Sequence, residues 1–152
     1  MGRKIANHNS KLLKTLYNPN PRARAGCNCQ RSKKHECPVP GECNQDGAIY
    51  QAAVTTSDGR EEYYVGLAKN FKKRYPKHKT TLGDRDAPGQ TTLTNYVWEQ
   101  RDKNLNPQVA WKFLERNVPD FNPITGICKL CTREKFQIVL NPSAATLNQY
   151  LQ

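Results

Sequence analysis

No stretch of this 152-residue sequence approaches the ~20 consecutive apolar residues that a membrane-spanning helix requires. The first residues also lack the apolar core of about 7–15 residues that marks a secretory signal. Ala6 stands where a myristoylation signal has Ser or Thr, which excludes that lipid anchor. From these absences we expect an intracellular protein without a membrane anchor.

Acidic residues are scarce. The sequence has 13 Asp and Glu against 24 Lys and Arg, which gives a formal net charge of +11. Such an excess favours a polyanionic partner, because Lys and Arg that neutralise phosphates release counterions. A basic surface that serves only solubility is the alternative. The longest basic run predicts phosphate contacts from Lys69, Lys72, Lys73, Lys77 and Lys79.

The six cysteines occur without a secretory signal, so metal binding explains them better than three disulfides do. Residues 27–43 are polar and contain Pro38, Pro40 and Gly41, so they cannot bury enough apolar surface to fold alone. A bound ion would supply their order. The potential ligands in this segment are Cys27, Cys29, His35, Cys37 and Cys43.

A second group of ligands, Cys128 and Cys131, has the C-x-x-C spacing of half a zinc site. One structural zinc ion held by both groups would join the N-terminal loop to the last helix. Unrelated buried thiols are an alternative, and a redox pair is disfavoured because no parallel βαβ pattern surrounds these cysteines. The ligands we expect are Cys29, Cys37, Cys43 and either Cys131 or Cys128, with Cys27 and His35 as spares.

Hydrophobic patterns predict an α/β (α+β) domain with a small antiparallel three-stranded sheet between helices. Strand patterns cover residues 48–55, 62–66 and 108–114, and Asp58-Gly59 forms the turn between the first two. Helices are expected after Asn70, from Thr91 or Thr92 to about Asp102, and within 130–140, where Thr132 can start the helix with Glu134 in its first turn. Pro76 should kink or end the first helix.

These patterns divide the chain into three parts. Residues 1–26 read as a basic tail or linker, 27–46 as the zinc-binding segment and 47–152 as the folded domain. The segment 27–152 is expected to form one structural unit.

The order of two tyrosines, an arginine and a histidine resembles the GIY-YIG nuclease family. The two motifs of that family stand here as Ala48-Ile49-Tyr50 and Tyr64-Val65-Gly66, followed by Arg74 and His78. The usual first glycine lies one place early, at Gly47. The segment 94–99 looks like the helix that carries the family's metal-binding glutamate, with Glu99 in that position.

Within that family the likeness is closest to the endonuclease domain of Penelope-like retroelements, over about residues 27–150. It implies a GIY-YIG fold with a zinc-bound N-terminal loop. The residues that carry it are Cys37-Pro38, Gly41, Cys43, 49–52, 64–67, Phe71, Arg74, His78, 96–99, Cys128 to Cys131 with Glu134-Lys135, and Leu147-Asn148.

The resemblance implies hydrolysis of DNA phosphodiester bonds with Mg²⁺ or Mn²⁺. In such a site one carboxylate holds the metal, an arginine binds the phosphate and a tyrosine takes a proton from water. The implied residues are Glu99 for the metal, Arg74 for the phosphate, Tyr50 as the base, Tyr64 to position the water, His78 or Lys69 to receive the proton, and Asn148 to bind a phosphate or order the site.

In these retroelements the domain follows a reverse transcriptase, which would be its partner in a parent polyprotein. The implied act is then the nicking of target DNA to prime reverse transcription, in the nucleus of a eukaryotic host. One alternative is a stand-alone GIY-YIG nuclease of repair, restriction or homing. Another is a zinc-stabilised nucleic-acid-binding module that cleaves nothing.

Overall fold

The computed structural model describes Cys27, Cys29 and residues 37–151. Segment 1–26 and His35 lie outside the described residues, so the expectations for them stay predictions. None of the described helices is both long and apolar enough to cross a bilayer.

The first two strands form the predicted hairpin. β1 is Asp46–Thr55 and β2 is Glu61–Asn70, and they pair antiparallel. In the turn, Gly59 has a φ of 83°, a left-handed conformation that glycine adopts without a steric cost. β2 continues past its predicted end because β1 begins at Asp46, which pairs with Asn70.

The third strand completes the sheet on the other side of β1. β3, Gln108–Glu115, pairs antiparallel with β1, so the strand order is β2-β1-β3. The central strand is buried at Ala48, Ile49, Tyr50, Gln51, Ala52 and Val54. The predicted mixed α/β class with a three-stranded antiparallel sheet is therefore confirmed.

The first helix, α1, is Phe71–Gly83. Asn70 is its N-cap as predicted, and its Oδ1 accepts a hydrogen bond from the backbone N–H of Lys73 at 3.1 Å. Of the two effects expected of Pro76, a kink or an end, the structure excludes the end, because α1 continues past it to Gly83. The proline removes only one backbone hydrogen bond, while buried residues on both sides of it, Phe71 and His78, keep the helix packed.

The second helix, α2, is Thr92–Asp102, and a capping box of Thr91 and Thr94 starts it. The third helix, α3, is Lys129–Leu140. It begins before Thr132, the predicted start, because Cys128 is its N-cap and accepts the Cys131 N–H at 3.1 Å. Short 3₁₀ helices, Pro142–Ala144 and Thr146–Leu151, follow it.

The two faces of the sheet contact different helices. Tyr50 packs with Phe71 of α1, and Ala52 and Val54 pack with the buried side chains of α2. Ile49 and Val65 face the other way and pack with Leu130 of α3. The alternation of side chains along β1 thus separates the α1 and α2 layer from the α3 layer.

Side chains from the C-terminal 3₁₀ helix form hydrogen bonds with backbone groups on the open edge of β2. The Tyr63 N–H donates to Thr146 Oγ1 at 2.8 Å, and the Val65 N–H donates to Asn148 Oδ1 at 2.8 Å. The Asn148 amide in turn donates to the Val65 carbonyl at 2.9 Å. These contacts replace the missing neighbour of an edge strand and hold the strand segment that carries Tyr64.

Gly47 is expected to be indispensable for the start of β1. Its φ is 54°, and a methyl group at this residue would lie 2.0 Å from the Val118 carbonyl oxygen. We expect Gly47→Ala to lower the free energy of unfolding by roughly 2–4 kcal/mol in chemical denaturation. Gly83→Ala is the matched control, since its added carbon meets nothing within 4 Å. Equal stability of the two variants would contradict this prediction.

Candidate active site and cysteine cluster

A cavity of about 700 Å³ opens between β1, β2, α1 and α3. Four of its lining residues have side chains suited to phosphodiester chemistry: Tyr50, Tyr64, Arg74 and Glu134. Three lysines also line it, namely Lys69, Lys73 and Lys77.

Tyr50 is at the base of this cavity. Its side chain is 1% exposed, and its hydroxyl oxygen lies 2.6 Å from His78 Nε2. Burial raises the pKa of Tyr50, and the nearby Tyr64 raises it further, while Arg74 opposes both effects. Tyr50 is therefore a neutral phenol that shares a hydrogen bond with His78.

His78 is equally buried, at 1% exposure. Burial and the neighbouring charge of Arg74 lower its pKa to about 4. The imidazole is thus neutral at physiological pH, and Nε2 is the nitrogen that shares the hydrogen bond with Tyr50. Arg74 and His78 lie one turn apart on the uninterrupted α1, so Pro76 does not remove His78 from the site.

Gly66 makes room for Tyr50. The two residues are opposite each other in the pairing of β1 with β2. A methyl group at Gly66 would lie 2.6 Å from the Tyr50 hydroxyl oxygen and 3.0 Å from Tyr64 Cε1. The glycine of the Tyr64-Val65-Gly66 motif therefore has a steric function, because its missing side chain leaves space for the phenol of Tyr50 beside β2.

Arg74 reaches the cavity from α1 and is half-buried. None of the ion pairs among the described residues includes it, and its buried Nε has no hydrogen-bond partner there. Burial lowers its pKa, but contacts with Tyr50 and attraction to Tyr64 and Glu134 outweigh that effect and raise it. This charged guanidinium is available to an anion.

Glu134 is the site residue that sequence reasoning missed. It lies on α3, and burial raises its pKa, while a backbone hydrogen bond from Leu67 and the charges of Lys135 and Arg74 partly offset that rise. The signal that could have identified it is its place in the helix after the third strand. The sequence pattern marks Glu134 only as a helix-start residue and as part of the resemblance.

Glu99, the residue expected to bind the metal, is not part of this cavity. Its side chain is 58% exposed and forms an ion pair with Lys103. The buried stripe of α2 contains Leu93, Val97 and Gln100, so Glu99 points away from the sheet. The prediction that Glu99 belongs to the same site as Tyr50 is wrong.

The other predicted residues are placed in different ways. The side-chain amide of Asn148 forms hydrogen bonds with both the N–H and the carbonyl of Val65, which supports a role in ordering the site. Lys69 lines the cavity and forms an ion pair with Asp120 at 3.2 Å. Lys72 and Lys79 are exposed on α1 but do not line the cavity.

Four cysteine sulfurs form a separate cluster. Cys27 and Cys37 lie 3.4 Å apart, Cys29 and Cys43 lie 3.3 Å apart, and all four sulfurs are within 4.8 Å of one another. A tetrahedral zinc ion with Zn–S bonds of about 2.3 Å has sulfurs about 3.8 Å apart. The cluster could therefore hold a metal ion such as zinc.

The zinc ligands chosen from the sequence need a correction. Cys27, treated as a spare, belongs to the cluster, whereas Cys128 and Cys131 are joined to each other by a disulfide. Cys128 packs with Ile49 and Leu130 on one face of the sheet, and the cluster packs with Tyr50 on the other. The Cys128 pair is therefore not among the sulfurs that lie within 4.8 Å of one another.

The thiols of the cluster cannot all ionise without a cation. Burial raises the pKa of Cys27, but hydrogen bonds from the backbone of Cys29 and Cys43 and from neighbouring thiols outweigh it and lower the pKa to about 6. Burial raises the pKa of Cys43, and the neighbouring thiols raise it further. A divalent cation would allow all four to bind as thiolates.

Comparisons with models of protein families, with curated proteins and with solved structures find no match to this chain.

The cluster predicts which cysteines retain metal. Protein purified without added zinc should contain about one zinc ion per chain, because four thiolates in this geometry bind zinc tightly. Cys27→Ser should lose that zinc in elemental analysis, while the double variant Cys128→Ser, Cys131→Ser should keep it. If the double variant loses its zinc and Cys27→Ser keeps it, the zinc ligands include Cys128 and Cys131 instead of Cys27.

The buried His78 predicts a pH dependence of stability. Its pKa is about 4 in the folded chain against an ordinary 6.5, so the unfolded chain binds the proton first as pH falls. The contribution of neutral His78 to the free energy of unfolding is fully present above about pH 6.5. It is lost progressively as the pH falls toward about 4.

Denaturation of wild type and His78→Gln at about pH 7 and about pH 4.5 measures this effect. The wild type should lose about 2–3 kcal/mol more than the variant, which lacks the titrating group and can still accept from Tyr50. Zinc loss at low pH affects both proteins and cancels in the difference. If the stabilities of the two proteins fell equally with pH, the prediction that His78 is buried and neutral would be wrong.

Proposed function

We propose that this chain is a metal-dependent DNA endonuclease of the GIY-YIG type. The observation that supports this best is that Tyr50, Tyr64, Arg74 and Glu134 line one cavity. Two come from adjacent strands and two from helices on opposite faces of the sheet. An arrangement that brings these four groups together fits phosphodiester hydrolysis better than it fits a structural core.

The cationic groups of the cavity suit a DNA backbone. Arg74 presents a planar guanidinium that no described acidic group neutralises, and such a fork matches two phosphate oxygens. Lys73 and Lys77 line the same cavity from α1. Together they would hold the scissile phosphate and its neighbours, and they would stabilise the charge that develops on the phosphoryl oxygens.

Tyr50 and His78 form the proton path of the proposed reaction. As water attacks the phosphorus, its proton passes to the Tyr50 oxygen while the phenol proton passes to His78 Nε2, 2.6 Å away. The charge of Arg74 contributes to the low pKa of His78. A phosphate bound at Arg74 would offset that charge, so DNA binding would make His78 a better base.

Tyr64 lies beside this pair on the same face of the sheet, with its ring centroid 6.5 Å from that of Tyr50 and 6.3 Å from that of His78. Burial raises its pKa, as does the nearby Glu134. It therefore stays protonated and can orient the attacking water through its hydroxyl.

Glu134 fits the metal position that Glu99 does not fill. Its carboxylate lines the cavity with both tyrosines, and burial raises its pKa, so a cation beside it would be stabilising. Glu134 and Asp46 are the two carboxylates that line this cavity, and such oxygen ligands suit Mg²⁺ or Mn²⁺, which keep most of their waters. When bound, that ion would neutralise charge on the phosphate and on the leaving 3′ oxygen.

We also propose that the cysteine cluster binds zinc as a structural ion. Cys29 and Cys43 belong to the same core group as Tyr50 and Phe71, and the rings of Phe71 and Tyr50 lie 5.0 Å apart. Zinc would thus fix the packing behind the proposed base without taking part in the reaction.

The biological setting follows from the likeness to Penelope-like retroelements. We propose that the chain nicks target DNA in the nucleus to prime reverse transcription, with a reverse transcriptase domain in its parent polyprotein. A stand-alone nuclease of repair, restriction or homing would use the same site. A zinc-stabilised DNA-binding module that cleaves nothing would need only the basic surface.

A matched pair of glutamate variants tests the proposed site. Glu134→Gln removes one charge in the cavity and should lower the rate of plasmid nicking with Mg²⁺ by at least about 10²-fold, since a metal ligand contributes several kcal/mol. Glu99→Gln removes the same charge from an exposed residue and should leave the rate unchanged. DNA affinity should persist in both, because it depends on distributed lysines and arginines.

The controls separate a misplaced site from a different function. Both variants should keep their zinc and their thermal unfolding midpoint, and EDTA should abolish nicking by the wild type. Loss of activity in Glu99→Gln alone would contradict the assignment of Glu134. If the wild type binds DNA but never cuts it with Mg²⁺ or Mn²⁺, the nuclease proposal is wrong, and the chain is a zinc-stabilised DNA-binding module.

A further inference from the structure

The disulfide of α3 belongs to neither of the sites described above. Cys128 is the N-cap of α3 and Cys131 lies in its first turn, with their Cα atoms 5.3 Å apart. Both residues are partly exposed. They lie on the face of the sheet opposite the four-cysteine cluster, so neither exchanges directly with those thiols.

The start of a helix favours the thiolate form of a cysteine. Unpaired N–H groups and the positive end of the helix dipole lower the pKa of a thiol at this position. Here the Cys131 N–H already donates to Cys128 Sγ at 3.1 Å. That hydrogen bond strengthens when the sulfur becomes negative, so Cys128 is a good leaving group when the disulfide is attacked.

The fold around the pair does not need the sulfur–sulfur bond. The bond closes a loop with a sequence separation of only 3, and a short loop gives little entropic stabilisation. The first turn of α3 is also held by Thr132, whose N–H and hydroxyl both donate to the Cys128 carbonyl, at 3.1 and 2.9 Å. Leu130 anchors it in the core at 1% exposure.

We propose that Cys128 and Cys131 are a redox-active pair that exchanges with an external dithiol. A thiolate of the dithiol attacks Cys131 Sγ, the intramolecular S–S bond breaks, and Cys128 leaves as a thiolate that then takes a proton. The second thiol of the partner displaces Cys131, so the partner becomes a disulfide and the pair becomes two thiols. Oxidised glutathione closes the bond again: the Cys128 thiolate attacks it and releases one reduced glutathione, and Cys131 then attacks the mixed disulfide at Cys128 and releases the second.

The test uses the full chain loaded with zinc. Dithiothreitol should open the Cys128–Cys131 bond completely while circular dichroism and zinc content stay unchanged, and oxidised glutathione should close it again. Free thiols are trapped with acid, alkylated and located by mass spectrometry. In the reduced protein at about pH 7, Cys128 should be alkylated about 10-fold faster than Cys131, because its thiolate is the more stabilised.

Two variants make the outcome decisive. Cys131→Ser leaves Cys128 alone and should keep its fast alkylation, and Cys128→Ser, in which serine can still cap the helix, should leave Cys131 slow. A bond that stays closed in excess dithiol until the protein unfolds is a structural disulfide and overturns the proposal. Binding of a second zinc ion by the reduced pair, or equal alkylation rates of the two thiols, also overturns it.

Discussion

The burial of β1 on both faces is the constraint from which the rest of the structure follows. A strand with neighbours on both edges has no freedom to shift its register without exposing its buried residues. That register places Tyr50 opposite Gly66, the residue whose missing side chain leaves space for the phenol. It also points Ile49 toward α3, so one strand positions both helices that contribute charged groups to the cavity.

The electrostatics of the cavity depend on groups that share one low-dielectric space. Arg74 keeps its charge and helps to keep His78 neutral. Tyr50 and Tyr64 stay protonated because burial disfavours the phenolate. The result is a neutral hydrogen-bonded pair next to a positive charge, and the proposed cleavage of an anionic substrate depends on this arrangement.

The cysteine cluster and the cavity are parts of one core. Phe71 touches both, since it belongs to the same buried group as Cys29, Cys43 and Tyr50. It is also the first residue of α1, the helix that carries Arg74 and His78. Cys29 and Cys43 share this packing with Phe71 and Tyr50, and an ion bound at the cluster would support the wall behind Tyr50.

The sequence by itself determined the hairpin, the third strand, the cap at Asn70, and the set of Tyr50, Tyr64 and Arg74, because each follows from local pattern or from a short motif. The structure decided that Thr91, and not Thr92, caps the second helix. Only the tertiary structure decided between Glu99 and Glu134, and between Cys27 and the Cys128 pair. Helical periodicity shows which side of a helix is apolar, but it does not show which polar residue reaches a cavity formed by other elements. Cysteine spacing likewise does not show which sulfurs the fold brings together, and a metal ion can bind only ligands within bonding distance of it.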